Sequence, residues 1–342
     1  MVELNGKKIL VTFLMHLGDL TLTTPFIHAL RKAAPDAHIT MLVDEKLKDV
    51  VLFNPYLDEV VTIDKKGRDN SILSLWACSR HLSKLDFDVL INLHPNERCS
   101  FIDAMTSVKL RTGTTHKIFK WFWDVFTPLD RSMHAADMYL DVLQQLGVQD
   151  LSSNGLEIFP GEEHFLEAEL FWQEQNITDQ DKLIGFNIGS AVPTKRWPPE
   201  RFAEVADIFA AKGYKTVFFG GPMDEEMVAE ATGYMQTRPI IATGHFAIGG
   251  LAAAMRRCCL IITNDSGPMH VAISQKVPIV AMYGPSNPKL YGPYTKDAVI
   301  VTAQPPCQGC ADGMKHSCDD LQCMSRMTVE QVVAAAGKML EK

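Results

Sequence analysis

The sequence predicts an α/β protein made of two domains, each containing a doubly wound parallel sheet. Apolar, β-branched runs alternate with helical patterns along a chain of 342 residues. The first half contains one such series, and the second half contains another. A chain of this length is typical of two domains. Because strands that alternate with helices pair in parallel through right-handed crossovers, each half is expected to form one sheet covered on both faces.

The first half contains four predicted strands and two predicted helices. The second half contains five predicted strands separated by four helices. The predicted strands are 8–13, 38–43, 59–64, 88–94, 183–189, 216–221, 240–244, 260–265 and 278–284, and the helices are 19–33, 75–85, 199–211, 224–236, 248–256 and 267–274.

The domain boundary is expected between about residues 150 and 182, where SSNGLEIFPGEEHF supplies Gly, Pro and Ser. We take the domains as residues 1–165 and 166–342, with the last helix packing back on the N-terminal domain. Two similar halves are expected to face one another across a cleft. Since open α/β sheets bind ligands beyond the carboxyl ends of their strands, functional residues are sought in the loops at those ends.

Composition excludes several classes of function. The chain has 33 Lys and Arg against 41 Asp and Glu, a net charge of −8, which is unsuited to general nucleic-acid binding. No apolar run approaches the ~18 residues of a membrane-spanning helix. The first residues, MVELNGKKILVTF, do not resemble a secretory signal, so a cytoplasmic protein with mostly reduced cysteines is expected.

The loop after the first strand lacks both the GxGxxG and the P-loop patterns. Instead, Asp19 stands at the start of the predicted helix. One interpretation is a helix N-cap. The other is a carboxylate that the helix N-terminus keeps ionised, available as a general base.

In the second half, the strand 260–265 leads into Asp265-Ser266-Gly267-Pro268 and then a helix. Free backbone N–H groups at that point suit a diphosphate. Alternatively, Asp265 or Ser266 only caps the helix and His270 is a packed helix residue.

Two other loops of the second half carry charged candidates. Lys195 and Arg196 in TKRWPP are either exposed cations of a turn or a fixed cation for a ligand phosphate, with Pro199 opening a helix. Glu225 and Glu226 in the next loop either bind a ribose diol or complement a helix dipole.

Loops 64–68 and 94–100 follow strands of the first half and are expected to face the same cleft. The run 115–131 mixes cations with large aromatic residues. It indicates either a membrane interface or amphipathic ligand, or a packed amphipathic helix with extended lysines. The acceptor-side candidates from these segments are Lys65, Arg68, Asn96, Lys117 and Lys120.

The C-terminal cysteines have the spacing Cys307-x2-Cys310-x7-Cys318-x4-Cys323. This spacing allows a structural zinc site, although a thiol-rich packed loop is the favoured alternative. The sequence shows neither HExxH nor a DxD pair in a loop of the predicted cleft, so no catalytic metal is expected.

Together these segments resemble glycosyltransferase family 9, the ADP-heptose:lipopolysaccharide heptosyltransferases. The resemblance rests on KKILVTFLMHLGDLTLTTPFIHALRKAAPDAHITMLV, TKRWP and NDSGPMHVAISQKVPIVAMYGPSNP, with DMYLDVLQQLG and the PCxxC-type tail in the expected order. It departs from the family at Pro268-Met269, where a leucine-containing pair is usual.

The resemblance implies a GT-B fold and an inverting, metal-independent transfer of a heptose or related sugar from an ADP-sugar to the lipopolysaccharide inner core. It implies that Asp19 is the general base, that Lys195 binds the donor phosphate and that Glu226, next to Glu225, binds the ribose. It places the donor sugar and phosphate at Asp265, Ser266 and Gly267, beside His270.

The partners implied are a nucleotide-sugar donor and a lipid-linked oligosaccharide acceptor, with peripheral contact at the cytoplasmic face of the inner membrane. Two alternatives stay open at this point. One is another GT-B nucleotide-sugar enzyme, such as a hydrolysing 2-epimerase, and the other is a non-catalytic nucleotide-sugar-binding paralogue.

Overall fold

The computed structural model of the chain describes residues 2–303 and 321–341. It divides into two compact units, Met1–Phe159 and Pro160–Lys342. Each unit contains one six-stranded parallel sheet with helices, which confirms the predicted α/β class with doubly wound sheets. In the described part of the chain, no helix is both long enough and apolar enough to span a bilayer.

The first unit has the strand order β3-β2-β1-β4-β5-β6. β1 pairs with both β2 and β4, so the strand order reverses at β1 and the loops after β1 and β4 flank the resulting crevice. The strands are β1 Lys8–Thr12, β2 His38–Asp44, β3 Glu59–Ile63, β4 Phe87–Asn92, β5 Val108–Gly113 and β6 Val125–Phe126.

Five α-helices and two 3₁₀ turns accompany this sheet in the described residues. α4 contacts both α3 and the second 3₁₀ turn, whereas α2 packs against α5. The helices are α1 Leu17–Thr21, α2 Thr24–Ala33, α3 Ile72–Ser83, α4 Glu97–Met105 and α5 Ala135–Gln145, and the 3₁₀ turns are Glu45–Val50 and Lys117–Phe122.

The single helix predicted over 19–33 is wrong, because the structure separates it into α1 and α2. Pro25 lies in the first turn of α2. In a continuous helix its ring would clash with the carbonyl of Thr21, four residues earlier. The Thr23 hydroxyl donates to the Leu20 carbonyl at 2.7 Å, in the short segment between the two helices.

The packed amphipathic helix considered for 115–131 is also wrong. The segment forms the 3₁₀ turn Lys117–Phe122 and then the edge strand β6. The Asp124 carboxylate accepts from the Arg111 amide at 2.7 Å, and the Asp124 amide donates to the Arg111 carbonyl. These two bonds attach the segment to the edge of the sheet at β5. Trp123 is buried, whereas the side chain of Trp121 is 95% exposed.

The second unit has the strand order β12-β11-β10-β7-β8-β9, with the reversal between β7 and β10. β9 covers only two of the five residues predicted as a strand at 240–244. The strands are β7 Leu183–Asn187, β8 Lys215–Phe219, β9 Ile240–Ile241, β10 Cys258–Asn264, β11 Ile279–Met282 and β12 Ala298–Val301.

The core of the second unit lies between its sheet and helices that include α7 and α13. α13 contacts α7 and strands β10, β11 and β12, and its Val332 and Ala336 are fully buried in that core. The helices are α6 Glu162–Glu174, α7 Pro199–Ala211, α8 Glu225–Tyr234, α9 Ile248–Met255, α10 Gly267–Ser274, α11 Pro288–Tyr291, α12 Gln322–Ser325 and α13 Val329–Leu340.

Candidate functional site

The carboxyl edge of the second sheet brings a helix N-terminus next to the reversal in strand order. β10 ends at Asn264 and α10 begins at Gly267, with Ser266 in the N-cap position. Asn187, the last residue of β7, donates from Nδ2 to the Ser266 hydroxyl at 2.8 Å and to the Thr263 hydroxyl at 2.9 Å. Within the described residues the Ser266 side chain makes no capping bond, so its interpretation as a side-chain cap is wrong.

Lys195 and Asp265 form a buried ion pair at this edge. The Lys195 Nζ lies 2.7 Å from Asp265 Oδ2, and the two side chains are only 13% and 6% exposed. The interpretation of Lys195 as an exposed cation of a turn is therefore wrong. Each charge satisfies the other, as charges removed from water require. A fixed cation thus lies beside the first turn of α10.

The loop that carries Lys195 is anchored on both sides. Trp197 is fully buried, and its amide donates to Asn264 Oδ1 at 3.1 Å. Its indole N–H donates to the Met327 carbonyl at 3.1 Å, and Asn264 Nδ2 donates to the Ile188 carbonyl at 2.7 Å. Pro199 then opens α7, as predicted. The ammonium group of Lys195 is consequently held on a rigid support.

Tyr283 lies next to the Lys195–Asp265 pair. Burial raises the pKa of its phenol well above the usual range, and the negative charge of Asp265 adds to that effect. The phenol donates to the Tyr291 carbonyl at 2.9 Å. Tyr283 therefore stays protonated and serves as a hydrogen-bond donor at this edge.

The acidic residues after β8 are placed differently from one another. Glu225 and Glu226 occupy the first turn of α8, as predicted, and both are exposed. Asp224 instead fills the space left by Gly189 and Gly220, because a Cβ on either glycine would collide with its side chain. A Cβ on Gly244 would come within 2.6 Å of Glu225 Oε1, which places the Glu225 carboxylate against the loop after β9.

The carboxyl edge of the first sheet carries an open pocket of about 850 Å³. Of the predicted acceptor-side residues, Lys65 and Asn96 line it. Cationic and imidazole side chains outnumber acidic ones among its walls. The lining residues are Leu14, Met15, His16, Lys65, Lys66, Asn70, His94, Asn96, Glu97, Arg98 and His116.

Lys65 and Asn96 are both tied into the framework of this pocket. The Lys65 ammonium donates to the carbonyls of Leu14 and Met15 at 2.8 Å each and pairs with Asp44 at 3.0 Å. The Asn96 side chain caps α4 by accepting from the Cys99 amide at 2.7 Å. Both residues therefore shape the pocket wall.

The other three predicted acceptor-side residues lie on the surface. Arg68 is exposed and pairs with Glu45 and Asp69. Lys117 and Lys120 belong to the exposed 3₁₀ turn, with the Lys120 ammonium 4.4 Å from the centre of the Phe126 ring. These three do not belong to the set of residues that lines the pocket.

His94 is a pocket residue that the sequence did not single out. It follows β4 and is buried, and its pKa is lowered to about 4 by burial and by the positive charges of Lys65 and His16. It is therefore a neutral imidazole at physiological pH. The signal available in the sequence was the position of His94 at the end of the predicted strand 88–94, where the polar loop 94–100 begins.

Asp19 and His270 lie in short helices at the two edges. Asp19 is the third residue of α1, whose N-cap position belongs to His16, so the N-cap interpretation of Asp19 is wrong. The position retains its proximity to the positive end of the helix. Asp19 is partly buried. His270 is buried within α10.

The zinc prediction depends on cysteines that the structure does not describe. Cys307, Cys310 and Cys318 lie outside the described residues, and Cys323 is buried in α12. Among residues 2–303 and 321–341, no cluster of three or more His, Cys, Asp or Glu side chains could hold a metal ion.

Two doubly wound parallel sheets place this chain in the class of α/β proteins whose ligand sites lie beyond the carboxyl ends of the strands. The sequence model of glycosyltransferase family 9 (heptosyltransferase) matches residues 75–318. The chain therefore belongs to glycosyltransferase family 9, which confirms the resemblance seen in its sequence, and it is a glycosyltransferase.

Individual relatives support this assignment. Lipopolysaccharide heptosyltransferase 3 of Escherichia coli K12 is 24% identical over 341 residues, covering 94% of this chain and 95% of the relative. The crystal structure of a glycosyl transferase family 9 protein from Veillonella parvula is 52% identical, with a TM-score of 0.94 and 99% coverage of both chains. The ADP-heptose lipopolysaccharide heptosyltransferase II of E. coli shares the fold, with a TM-score of 0.81, 21% identity and 98% coverage of both chains.

Proposed function

We propose that this glycosyltransferase moves a heptose, or a closely related sugar, from an ADP-sugar to the inner core of lipopolysaccharide. The transfer inverts the anomeric centre and requires no metal ion. The observation that carries the proposal is the buried Lys195–Asp265 pair beside the first turn of α10. The family and the names of its relatives supply the sugar and the acceptor class.

The donor diphosphate binds at the carboxyl edge of the second sheet. Negative charge builds on the departing diphosphate as the glycosidic bond breaks. The N-terminus of α10, through Ser266 and Gly267, and the ammonium of Lys195 stabilise that charge, which is the task a divalent cation performs in other transferases. Asp265 holds Lys195 in place before the donor arrives. His270 is buried in the same helix, α10.

The ribose of the donor is bound by an acid in the first turn of α8. The sequence resemblance favours Glu226, whereas the geometry favours Glu225, whose carboxylate lies against Gly244. The Asp224 side chain packs against Gly189 and Gly220, so Asp224 is not a candidate for the ribose. A comparison of Glu225→Gln with Glu226→Gln in donor binding decides between the two glutamates.

The acceptor binds at the carboxyl edge of the first sheet. Asp19, near the positive end of α1, takes the proton of the acceptor hydroxyl as the new bond forms. The cationic pocket walls suit a negatively charged saccharide. Asn96 lines that pocket, Lys65 holds its wall, and Arg68, Lys117 and Lys120 act from the surrounding surface. We place the reaction at the cytoplasmic face of the inner membrane.

The test is a thermal-shift panel of nucleotide sugars followed by an assay for nucleoside diphosphate release. ADP-heptose is expected to raise the melting temperature more than UDP- or GDP-sugars do, since a ligand that binds the native state stabilises it. Release of ADP should require a lipopolysaccharide acceptor and persist with a chelator. The anomeric configuration of the product, read by NMR, should be opposite to that of the donor.

The same assay separates the alternatives. Donor breakdown without any acceptor would indicate a hydrolysing nucleotide-sugar enzyme such as a 2-epimerase. Donor binding with no turnover under any condition would indicate a non-catalytic binding protein. A rate that falls to zero with the chelator and returns with a divalent cation would contradict metal independence.

A further inference from the structure

Two segments of the first unit expose large apolar side chains to solvent. In the first turns of α3, the exposed fractions are 65% for Ile72, 75% for Leu73 and 53% for Trp76. In the 3₁₀ turn Lys117–Phe122, they are 58% for Ile118, 95% for Trp121 and 46% for Phe122. We call these six side chains the apolar rim.

The α3 part of the apolar rim contradicts the usual pattern of a surface helix. The inward side of α3 is already buried through Leu75 and Leu82. A helix of this kind normally presents polar residues to water on its outer side, yet Ile72, Leu73 and Trp76 point away from the core. A reciprocal capping box between Ser71 and Ser74 orders this first turn. The exposed apolar groups are therefore held in place.

Both parts of the apolar rim adjoin the pocket of the first unit. Asn70 and His116 line that pocket, and each stands two residues before a rim residue, Ile72 and Ile118 respectively. α4 contacts both α3 and the 3₁₀ turn, so the two rim segments lie on the same side of the sheet. The rim thus flanks the mouth of the pocket.

Cations accompany the apolar rim. Lys117 and Lys120 belong to the same turn as Trp121, and Arg80 lies over the Trp76 ring at 6.0 Å. Lys66 is exposed in the loop that borders the pocket. This local positive charge occurs in a chain whose net charge is −8. Exposed tryptophan and aliphatic side chains with interleaved lysines are typical of segments that insert into an anionic lipid interface.

We propose that the apolar rim docks this protein on the surface of an anionic lipid bilayer. Trp76, Trp121 and the aliphatic rim residues enter the headgroup region, and the cations pair with lipid phosphates. The pocket mouth then opens toward the headgroups. This inference rests on the proposed function only for the identity of the molecule that enters the pocket, because docking itself depends on the rim and the lipid.

The experiment measures binding of the full chain to vesicles by co-sedimentation. Vesicles of phosphatidylcholine alone are compared with an equimolar mixture of phosphatidylcholine and phosphatidylglycerol. We expect binding to the anionic vesicles, weakened by salt, and little binding to the neutral ones. The double variant Leu73→Ser, Trp121→Ser should lose about tenfold or more in affinity for anionic vesicles.

A matched control is Leu166→Ser on α6, whose side chain is 57% exposed in the second unit. This variant should bind vesicles as the unchanged protein does. Melting temperatures of all variants, with and without ADP, establish that each is folded. Equal vesicle binding by the double variant and the unchanged protein would overturn the proposal, as would binding of neither vesicle type.

A second copy of the chain is the alternative occupant of the apolar rim, and light scattering tests that outcome. A dimer that the double variant converts to a monomer, with no vesicle binding, would overturn the lipid proposal in favour of self-association. Failure of docking is distinguishable from failure of the proposed function. Donor binding and ADP release are measured without vesicles, and vesicle binding is measured without donor.

Discussion

The carboxyl edges of the two sheets are built in contrasting ways. In the second unit, the charged groups of the candidate site are buried and fixed, with Lys195 paired to Asp265 on a loop anchored by Trp197. In the first unit, the corresponding edge is an open pocket with a neutral His94 in its wall. The difference shows that the charged groups of the second edge are fixed by partners within the protein, whereas those of the first edge surround an open space.

The largest expected effect concerns Asp19. Asp19→Ala should lower the rate of transfer by about 10²- to 10⁴-fold, because a general base contributes that much to a proton transfer. Binding of ADP, measured by calorimetry, should be unchanged. The exposed Asp36→Ala serves as a control with full activity. Undiminished turnover of Asp19→Ala would remove Asp19 from the mechanism.

Removal of the fixed cation should weaken donor binding. Lys195→Ala is expected to reduce affinity for ADP by about 10- to 100-fold, the equivalent of one charged hydrogen bond, and to leave adenosine binding unchanged. The variant also leaves Asp265 without its buried partner, so its melting temperature should fall.

The neighbouring Arg196, whose Nε donates to the Ser190 carbonyl at 2.8 Å, provides the control for Lys195. Arg196→Ala should bind ADP and adenosine in the same ratio as the unchanged protein does. Equal losses of ADP and adenosine affinity in Lys195→Ala would contradict the phosphate contact.

The polar groups beneath the two edges differ in charge, and this difference should appear in the pH dependence of stability. Under the second edge, Asn187 links two hydroxyl groups. Under the first edge, Asp103 is fully buried and accepts from the Thr12 hydroxyl at 2.8 Å, and burial raises the pKa of its carboxyl from 3.8 to about 8.

Because the folded pKa of Asp103 exceeds the unfolded value, its contribution to stability is complete below the unfolded pKa. It is lost as the pH rises through the folded pKa. Below about pH 6.5 the lowered pKa of His94 has the opposite effect, because there the unfolded state binds the extra proton. The free energy of unfolding in urea should therefore fall mainly between about pH 6.5 and about pH 8, and Asp103→Asn should reduce that fall. Asp88→Asn is a matched control, since the Asp88 pKa is lowered and its titration lies below this range. An unchanged slope in Asp103→Asn would show that Asp103 is ionised throughout.

The smallest effect concerns the charge of His94. Its NMR signal should not titrate between about pH 6 and about pH 8, because its pKa lies near 4. Lys65→Met removes one of the positive charges that lower this pKa, so the titration midpoint should rise while staying below that of an exposed histidine. A midpoint near the ordinary value in the unchanged protein would contradict the neutral imidazole.

Buried parallel strands were readily predicted, because they are continuous apolar runs such as HITMLV and LIITND. β5 was missed because apolar residues alternate with charged ones in VKLRTG, and β6 and β12 were missed because two and four residues are too short to give a clear pattern. The break between α1 and α2 depends on Pro25. The helical spacing of apolar residues continues across this proline, so the spacing alone predicted one helix.

The site was predictable only in part. The residue types at Lys195 and Asp265 suggested phosphate chemistry, but their pairing joins residues 70 positions apart and needs the folded sheet. The hydrogen bonds of the Asn187 and Asn264 side chains were not predicted. An amide at the end of an apolar strand does not reveal its hydrogen-bond partners in the sequence. Arg68 had the residue type expected at an acceptor site; its partner Asp69 is adjacent in the sequence, whereas its partner Glu45 is 23 residues away and is brought near only by the fold.

The carbonyl of Met327 links the C-terminal segment to the turn that bears Lys195. Through this link, residues that do not contact the ligand affect the proposed phosphate site. The Met327 oxygen accepts from the Trp197 indole and from the Arg201 guanidinium, so the turn bearing Lys195 is tethered to residues far along the chain. A truncation that ends before Met327 would remove this oxygen together with α13, whose Val332 and Ala336 are buried in the core, so it would both untether the turn and destabilise the second unit. The protein would then lose nucleotide affinity through a deletion at its tail, with each residue of the turn itself intact.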